Sequence, residues 1–188
     1  MANPQSLAEL MIDAERYVAH AMDEFGRIVP LLFLIGANGP LLIVGDRLPD
    51  VAAKQSFAST VRMVCVARAA TACVLALEVW AKFAQPGEKL DLGESPSERI
   101  DRREFVVLMG ESKTQCRQRF LPIIRSGNGK FFGLGEAEES VSDQLEGRFA
   151  HLLPAKTPNA EMRRLANIML QLRGFQLPDP RAGRRSAG

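Results

Sequence analysis

The segment TACVLALEVWAKFA, residues 71–84, decides the fold because its side chains alternate in character along the chain. One side of this period-two pattern is wholly apolar and consists of Cys73, Leu75, Leu77, Val79, Ala81 and Phe83. The other side is less apolar and consists of Val74, Ala76, Glu78, Trp80 and Lys82. Strand side chains point alternately to the two faces of a sheet, so the pattern predicts a strand over about 72–84. Residues 50–85 contain neither Gly nor Pro. We therefore expect a helix over about 50–70 before the strand, with one long helix through 84 as the alternative.

The first helix has a start signal, an apolar stripe and a stop signal. Ser6 and Glu9 have the spacing of a capping box, in which each side chain bonds the other residue's backbone N–H. The stripe that follows consists of Leu7, Leu10, Met11, Ala14, Val18, Ala21, Met22 and Phe25. Gly26 can take the left-handed conformation that ends a helix. These signals predict a helix over 7–25.

Several shorter apolar runs indicate strands. Residues 28–35 and 41–44 flank a turn of Gly, Asn and Pro, which predicts a β-hairpin. Residues 105–109 and 117–125 predict two further strands, with Pro122 placing the second at an edge or a bulge. The tight turn at 126–129 allows brief pairing of residues 130–134 behind it.

The last part of the chain predicts one more helix after a polar stretch. Residues 136–146 are acidic and indicate a loop or a short helix. Thr157 and Pro158 are suitable as N-cap and first helical residue, and Gly174 as the end of the helix. The apolar stripe of this helix consists of Met162, Leu165, Ile168, Met169 and Leu172. Residues 176–188 are rich in Pro, Gly, Arg and Ser, and we expect a disordered tail.

The elements together predict an α+β domain in the order α-β-β-α-β-β-β-α. The chain has 188 residues, of which 46% are hydrophobic, and this excludes a disordered, collagenous or disulfide-stapled chain. We expect a single globular domain over residues 1–175, with two layers and a roughly five-stranded antiparallel or mixed sheet.

Two resemblances follow from these features. The element order over about residues 5–126 resembles that of roadblock and profilin-like domains, which implies a dimerising scaffold or regulator. Three short segments are similar to bacterial and phage proteins with no assigned activity, and these are Glu78-Val79-Trp80, Pro96-Ser97-Glu98-Arg99 and Asp101-Arg102-Arg103-Glu104.

Composition and spacing argue against a cofactor, a metal site and a membrane span. The three cysteines lack the close spacing of metal or redox ligands, and we expect them reduced in the cytoplasm. The uncharged run 28–45 is interrupted by Pro, Gly and Asn, and the first residues do not form a signal peptide. We therefore expect a cytoplasmic protein without cofactor or metal.

Two groups of polar residues are candidate sites. The first could bind a small anionic ligand and consists of Glu78, Trp80, Arg99, Asp101, Arg103 and Glu104. The second could contact a nucleic-acid backbone, because residues 99–130 carry 8 basic and 3 acidic residues. It consists of Lys113, Arg117, Arg119, Arg125 and Lys130. A nuclease-like combination of Asp50 with Glu111 and Lys113 is disfavoured, since about sixty residues separate its parts.

The sequence contains no decisive catalytic motif, and we favour a non-catalytic interaction or regulatory domain. The apolar hairpin strands and the Ala-rich helix 50–70 offer more apolar surface than two helices would cover, which favours a homodimer or a protein partner. A nucleic-acid-binding module and a small-ligand enzyme with its site near Glu78 and residues 97–104 are the alternatives.

Overall fold

The computed structural model describes residues 6–81, 103–140 and 147–177, and the fold is stated for these parts of the chain. Their elements, in chain order, are α1 Leu7–Phe25, β1 Leu31–Gly36, β2 Gly39–Val44, α2 Val51–Ala67, β3 Ala72–Ala81, β4 Arg103–Ser112, β5 Cys116–Arg125, β6 Phe131–Leu134, β7 Glu138–Ser140 and α3 Ala160–Leu172. The α+β class and the predicted order of helices and main strands are confirmed. Residues 82–84 of the predicted third strand and residues 178–188 of the predicted tail lie outside the described residues, whereas Leu177 packs against the core and does not belong to a disordered tail.

All the described strands form one antiparallel sheet. Its order is β2-β1-β3-β4-β5-β6, and β7 pairs with β5 beside this path. The sheet therefore has seven strands where about five were expected. One additional strand, β6, is the brief pairing that the turn at 126–129 allows, and the other, β7, lies in the acidic stretch that we interpreted as a loop or short helix. Strand β7 pairs with β5, where Ser140 lies opposite Gln118 and Glu138 lies opposite Phe120.

The period-two pattern of β3 is confirmed, and it divides the core into two parts. Ala72, Val74 and Ala76 pack in the cluster that contains α1. The intervening Cys73, Leu75 and Leu77 pack in the cluster that contains α2 and α3. Because both faces of the sheet are covered by helices, the domain has three layers rather than the expected two.

The helix boundaries follow local chemistry. In α1 the Ser6 hydroxyl accepts from the Glu9 N–H at 3.2 Å, and the Glu9 carboxylate accepts from the Ser6 N–H at 2.7 Å. This confirms the capping box, and Gly26 ends the helix at φ +66°. Asp50 caps α2 by accepting from the Ala53 N–H at 2.7 Å.

Strand β5 contains Pro122 although it lies between other strands of the sheet. It pairs with β4 along most of its length, with β7 through residues 118–120 and with β6 through residues 123–125. Pro122 lies where the second partner changes, and its carbonyl accepts from the Gly135 N–H at 2.7 Å. The missing N–H of Pro122 therefore falls at the junction of two pairings.

The segment that leads into α3 is held by two long-range polar contacts. The Arg62 guanidinium donates to the carbonyls of Arg148, Ala150 and His151. The carboxylate of Glu111, which is 8% exposed, accepts from the backbone N–H groups of Leu152 and Leu153. These contacts fix where α3 begins relative to the sheet.

Asn159, and not the predicted Thr157, caps α3. The Asn159 side chain accepts from the Met162 N–H at 2.8 Å, whereas the Thr157 hydroxyl accepts from the Lys113 ammonium at 2.6 Å. Thr and Asn are both suitable as N-cap residues. Because the Thr157 hydroxyl bonds Lys113, Asn159 caps the helix. Gly174, at φ +76°, follows the end of the helix as predicted.

Candidate functional site

Helix α3 presents its apolar stripe to solvent. The exposed fractions are 46% for Met162, 58% for Leu165, 42% for Ile168, 42% for Met169 and 83% for Leu172. The spacing of three, four and seven residues places them along one face of the helix. The periodicity predicted the stripe, and the structure shows that it faces solvent. We refer to these five residues as the α3 stripe.

The contact between α3 and the rest of the domain uses other residues. Ala166 is 5% exposed and Leu170 is 1% exposed, and both pack in the cluster that contains α2. Phe175 and Leu177, which follow the helix, also pack against this cluster. Helix α3 is therefore anchored on one side, and most of its apolar side chains remain outside.

Charged residues stand at the two ends of the α3 stripe. Glu161 lies in the first turn of α3, and Arg173 is its C-cap residue. The rise of 1.5 Å per residue places them about 18 Å apart along the axis. The guanidinium of Arg173 donates to the Ser59 hydroxyl at 3.3 Å and meets no carboxylate among the described residues.

The hairpin and α2, by contrast, bury most of the apolar surface expected of them, and their exposed large apolar residues are Val44 and Val51. Residues 31–35 of β1 are all buried. In α2, Ala58, Val61, Val64, Cys65 and Ala67 are buried. Most of the apolar surface from which self-association was expected is therefore buried, and the larger exposed stripe lies on α3.

A cavity of about 770 Å³ lies beside β3 and contains part of the predicted ligand site. Glu78 and Trp80 line it. Three bases also line it, Arg27 before β1, Arg47 after β2 and Lys54 in α2. Sequence reasoning missed these bases, because they precede Glu78 by 24 to 51 residues and only the folded chain brings them to it. Their positions in the chain, before and after the predicted hairpin, were the sequence feature that could have indicated them.

Glu78 is half-buried in the wall of this cavity. Its Oε1 accepts from the Ile28 N–H at 2.6 Å. Burial raises the pKa of Glu78, and the hydrogen bond from Ile28 opposes the rise. The charge of Glu104 raises the pKa further, while those of Arg125 and Arg27 lower it. Glu78 can therefore hold a proton at a higher pH than an exposed glutamate.

The other predicted ligand residues are used differently or lie outside the described residues. Arg99 and Asp101 are not among the described residues. The carboxylate of Glu104 accepts two hydrogen bonds from Arg125, at 2.6 and 2.8 Å. Arg103 lies 3.5 Å from the Glu138 carboxylate and over the ring of Phe105. Arg103 and Glu104 thus form internal ion pairs and do not line the cavity.

The predicted nucleic-acid residues lie on β5 and in the segments beyond its two ends. Arg117, Arg119 and Arg125 alternate along β5, and two of them are paired: Arg119 with Glu15 of α1, and Arg125 with Glu104. Lys113 and Lys130 lie beyond opposite ends of the strand. Two of the three positive charges on β5 are therefore neutralised by neighbouring carboxylates.

The described residues contain neither the disfavoured nuclease-like site nor a group of metal ligands. Glu111 bonds backbone N–H groups, which gives it a structural role in place of the nuclease-like one. In the described parts of the chain, no three His, Cys, Asp or Glu side chains are grouped to hold a metal ion. No helix within the same residues is long and apolar enough to span a bilayer. Comparison of the chain with protein-family models, curated proteins and solved structures gave no match.

Proposed function

We propose that this chain is a non-catalytic interaction domain that forms a homodimer through the α3 stripe. The observation that supports the proposal is the exposure of five large apolar side chains on one face of a 13-residue helix. A surface helix ordinarily turns such a stripe toward its own core. A stripe that faces water instead exposes contiguous apolar surface, which marks a protein contact.

The order of residues in α3 favours a second copy of the same chain as the partner. In an antiparallel pair related by a two-fold axis near residue 167, Met162 of one copy faces Leu172 of the other. Leu165 then faces Met169, and Ile168 lies beside the axis. Every member of the α3 stripe thus meets an apolar neighbour, as an isologous contact requires.

The terminal charges match the same arrangement. The axis that pairs the apolar residues also places Glu161 of each copy opposite Arg173 of the other. Each end of the helix pair would then hold one acid beside one base, whereas a parallel pair would place like charges together. Charge and apolar pattern therefore favour the same antiparallel register.

The size of the surface sets the expected strength of the dimer. A stable interface buries about 800 Å² on each partner, and five side chains supply only part of that area. We therefore expect a dimer that dissociates on dilution, with a dissociation constant on the order of micromolar. The free cysteines Cys65, Cys73 and Cys116 are consistent with a cytoplasmic setting.

Sedimentation velocity over a range of protein concentrations tests the proposal. The wild-type chain should shift from monomer to dimer as its concentration rises from about 1 to 200 µM. Leu165→Glu places a charge in the α3 stripe, and it should weaken association by at least about tenfold. Leu165 is exposed in the monomer, so folding should be preserved, and circular dichroism checks this.

Phe132→Glu is the matched control. Phe132 is 77% exposed on β6, so the same charge is introduced at an apolar surface residue away from α3. This variant should dimerise like the wild type. A wild-type chain that stays monomeric at the highest concentration, or equal loss of dimer in both variants, would contradict the proposal.

A further inference from the structure

The lining of the cavity beside β3 combines apolar and basic side chains. Six apolar side chains line one part of it, and these are Leu77, Val79, Val107, Met109, Phe120 and Phe149. Five of them lie on strands β3 to β5, and Phe149 is held nearby by its edge-to-face contact with Phe57 of α2. A rigid sheet face therefore forms the apolar wall.

Three basic side chains also line the cavity, and we refer to them as its basic side. Arg27, Arg47 and Lys54 come from the segments that flank the hairpin and from the first turn of α2. Among the described residues, no carboxylate forms an ion pair with any of these three side chains. The carbonyl of Pro30 accepts from the Gly45 N–H at 2.8 Å and joins the two flanking segments. Three positive charges thus line one cavity, and the acids of the same segments, Asp46 and Asp50, are not among its described lining residues.

Glu78 is the single acidic residue among the described residues that line the cavity. Its Oε1 is already bonded to the Ile28 N–H, and its charge is near that of Arg27. Arg47 and Lys54 also line the cavity and form no ion pair with a described carboxylate. The balance of three bases to one acid selects against a cationic ligand.

We infer that this cavity binds a small organic anion with an apolar body. The body would pack on the sheet face, and the anionic head would meet the basic side at Arg47 and Lys54. The volume of about 770 Å³ is within the range of roughly 300–1,000 Å³ that is usual for small-molecule sites. A medium-chain carboxylate or alkyl phosphate has the required chemistry.

Binding can be followed at the site itself. The chain has one tryptophan, Trp80, and it lines the cavity. Titration of the full chain with dodecanoate should change Trp80 fluorescence, and calorimetry should give the same affinity. Dodecyl phosphate tests the alternative head group: whichever of the two anions binds more tightly identifies the preferred one. Dodecyltrimethylammonium has the same body with a positive head and should bind at least about tenfold more weakly.

A double variant, Arg47→Ala with Lys54→Ala, removes two charges from the basic side. It should weaken dodecanoate binding at least about tenfold, because each charge-assisted contact contributes appreciably to affinity. The matched control, Lys130→Ala with Lys156→Ala, removes two exposed charges elsewhere and should change affinity less than about twofold.

Three results would overturn the inference. These are no dodecanoate binding up to about 1 mM, equal binding of the cationic analogue, and equal loss in the control pair. All four substituted side chains are exposed, so the variants should fold, and thermal unfolding checks this. The result does not depend on dimerisation, because none of these residues belongs to the α3 stripe.

Discussion

Replacement of Glu111 by glutamine tests how the chain before α3 is held. Glu111 lies near the end of β4, and its carboxylate accepts from the Leu152 N–H at 2.8 Å and from the Leu153 N–H at 3.3 Å. Glutamine has nearly the same shape but only one accepting oxygen. Its amide group would face one of the two backbone donors, so that donor would lose its partner.

The magnitude follows from burial. Glu111 is 8% exposed, so water cannot readily replace the lost acceptor. A hydrogen bond to a charged group contributes about 1.5–3 kcal/mol, and an unsatisfied buried donor costs about 1–3 kcal/mol. Because these terms overlap, we expect Glu111→Gln to lower the free energy of unfolding by about 2–3 kcal/mol. For a chain of this size that lowers Tm by roughly 5–10 °C.

Urea denaturation and a thermal melt measure this effect, with Glu24→Gln as the control. Glu24 is exposed on α1, and its replacement should change stability by less than about 0.5 kcal/mol. Hydrogen exchange should show faster exchange at Leu152 and Leu153 in the Glu111 variant. Equal stability of the Glu111 variant and the wild type would refute the structural role given to this carboxylate.

Four further substitutions have defined outcomes. Gly36→Ala would place a Cβ 2.6 Å from the Arg68 carbonyl oxygen, so urea denaturation should show a loss of about 1–3 kcal/mol. Gly133→Ala, whose Cβ meets nothing within 4 Å, should leave stability nearly unchanged in the same assay. Because folding raises the pKa of Glu78, the folded state binds its proton more tightly, and stability should fall as pH rises from the ordinary glutamate pKa through the raised one. Glu78→Gln should abolish that fall, as urea titrations at several pH values would show. If the free energy of unfolding of the variant still falls over this pH range, Glu78 is not the cause. Asn159→Ala should lose about 1 kcal/mol with the cap of α3, and an unchanged urea midpoint would count against that cap.

Much of the fold could be predicted because its signals are local. The capping box of Ser6 and Glu9 and the stop at Gly26 mark both ends of α1 within the chain segment that they limit. The alternation in residues 72–81 distinguishes a strand from a continued helix, because the two periods place different residues together. These features need no knowledge of distant parts of the chain.

The orientation of α3 could not be predicted, because periodicity shows that a stripe exists and not which way it faces. The small Ala166 and the single Leu170 face α2, while the larger stripe turns outward. That choice depends on where Arg62 and Glu111 hold the preceding segment, more than 80 and about 40 residues away in sequence. Strand β7 was missed for the same reason, since its pairing partner is β5.

The candidate site was predicted only in part. Glu78 and Trp80 were identified from the less apolar side of β3, and both line the cavity. Arg103 and Glu104 were grouped with them on charge density alone. Their pairing with Glu138 and Arg125 depends on the register of neighbouring strands, which sequence spacing does not reveal.

The measurement that tests the antiparallel dimer most directly is sedimentation equilibrium of a reciprocal charge exchange at the ends of α3. Glu161→Arg alone and Arg173→Glu alone should each raise the dimer dissociation constant by about three- to tenfold, because like charges then meet. The double exchange restores opposite charges and should return the constant close to the wild-type value. A double variant weaker than both single variants, or three variants that associate like the wild type, would contradict pairing of two copies along α3.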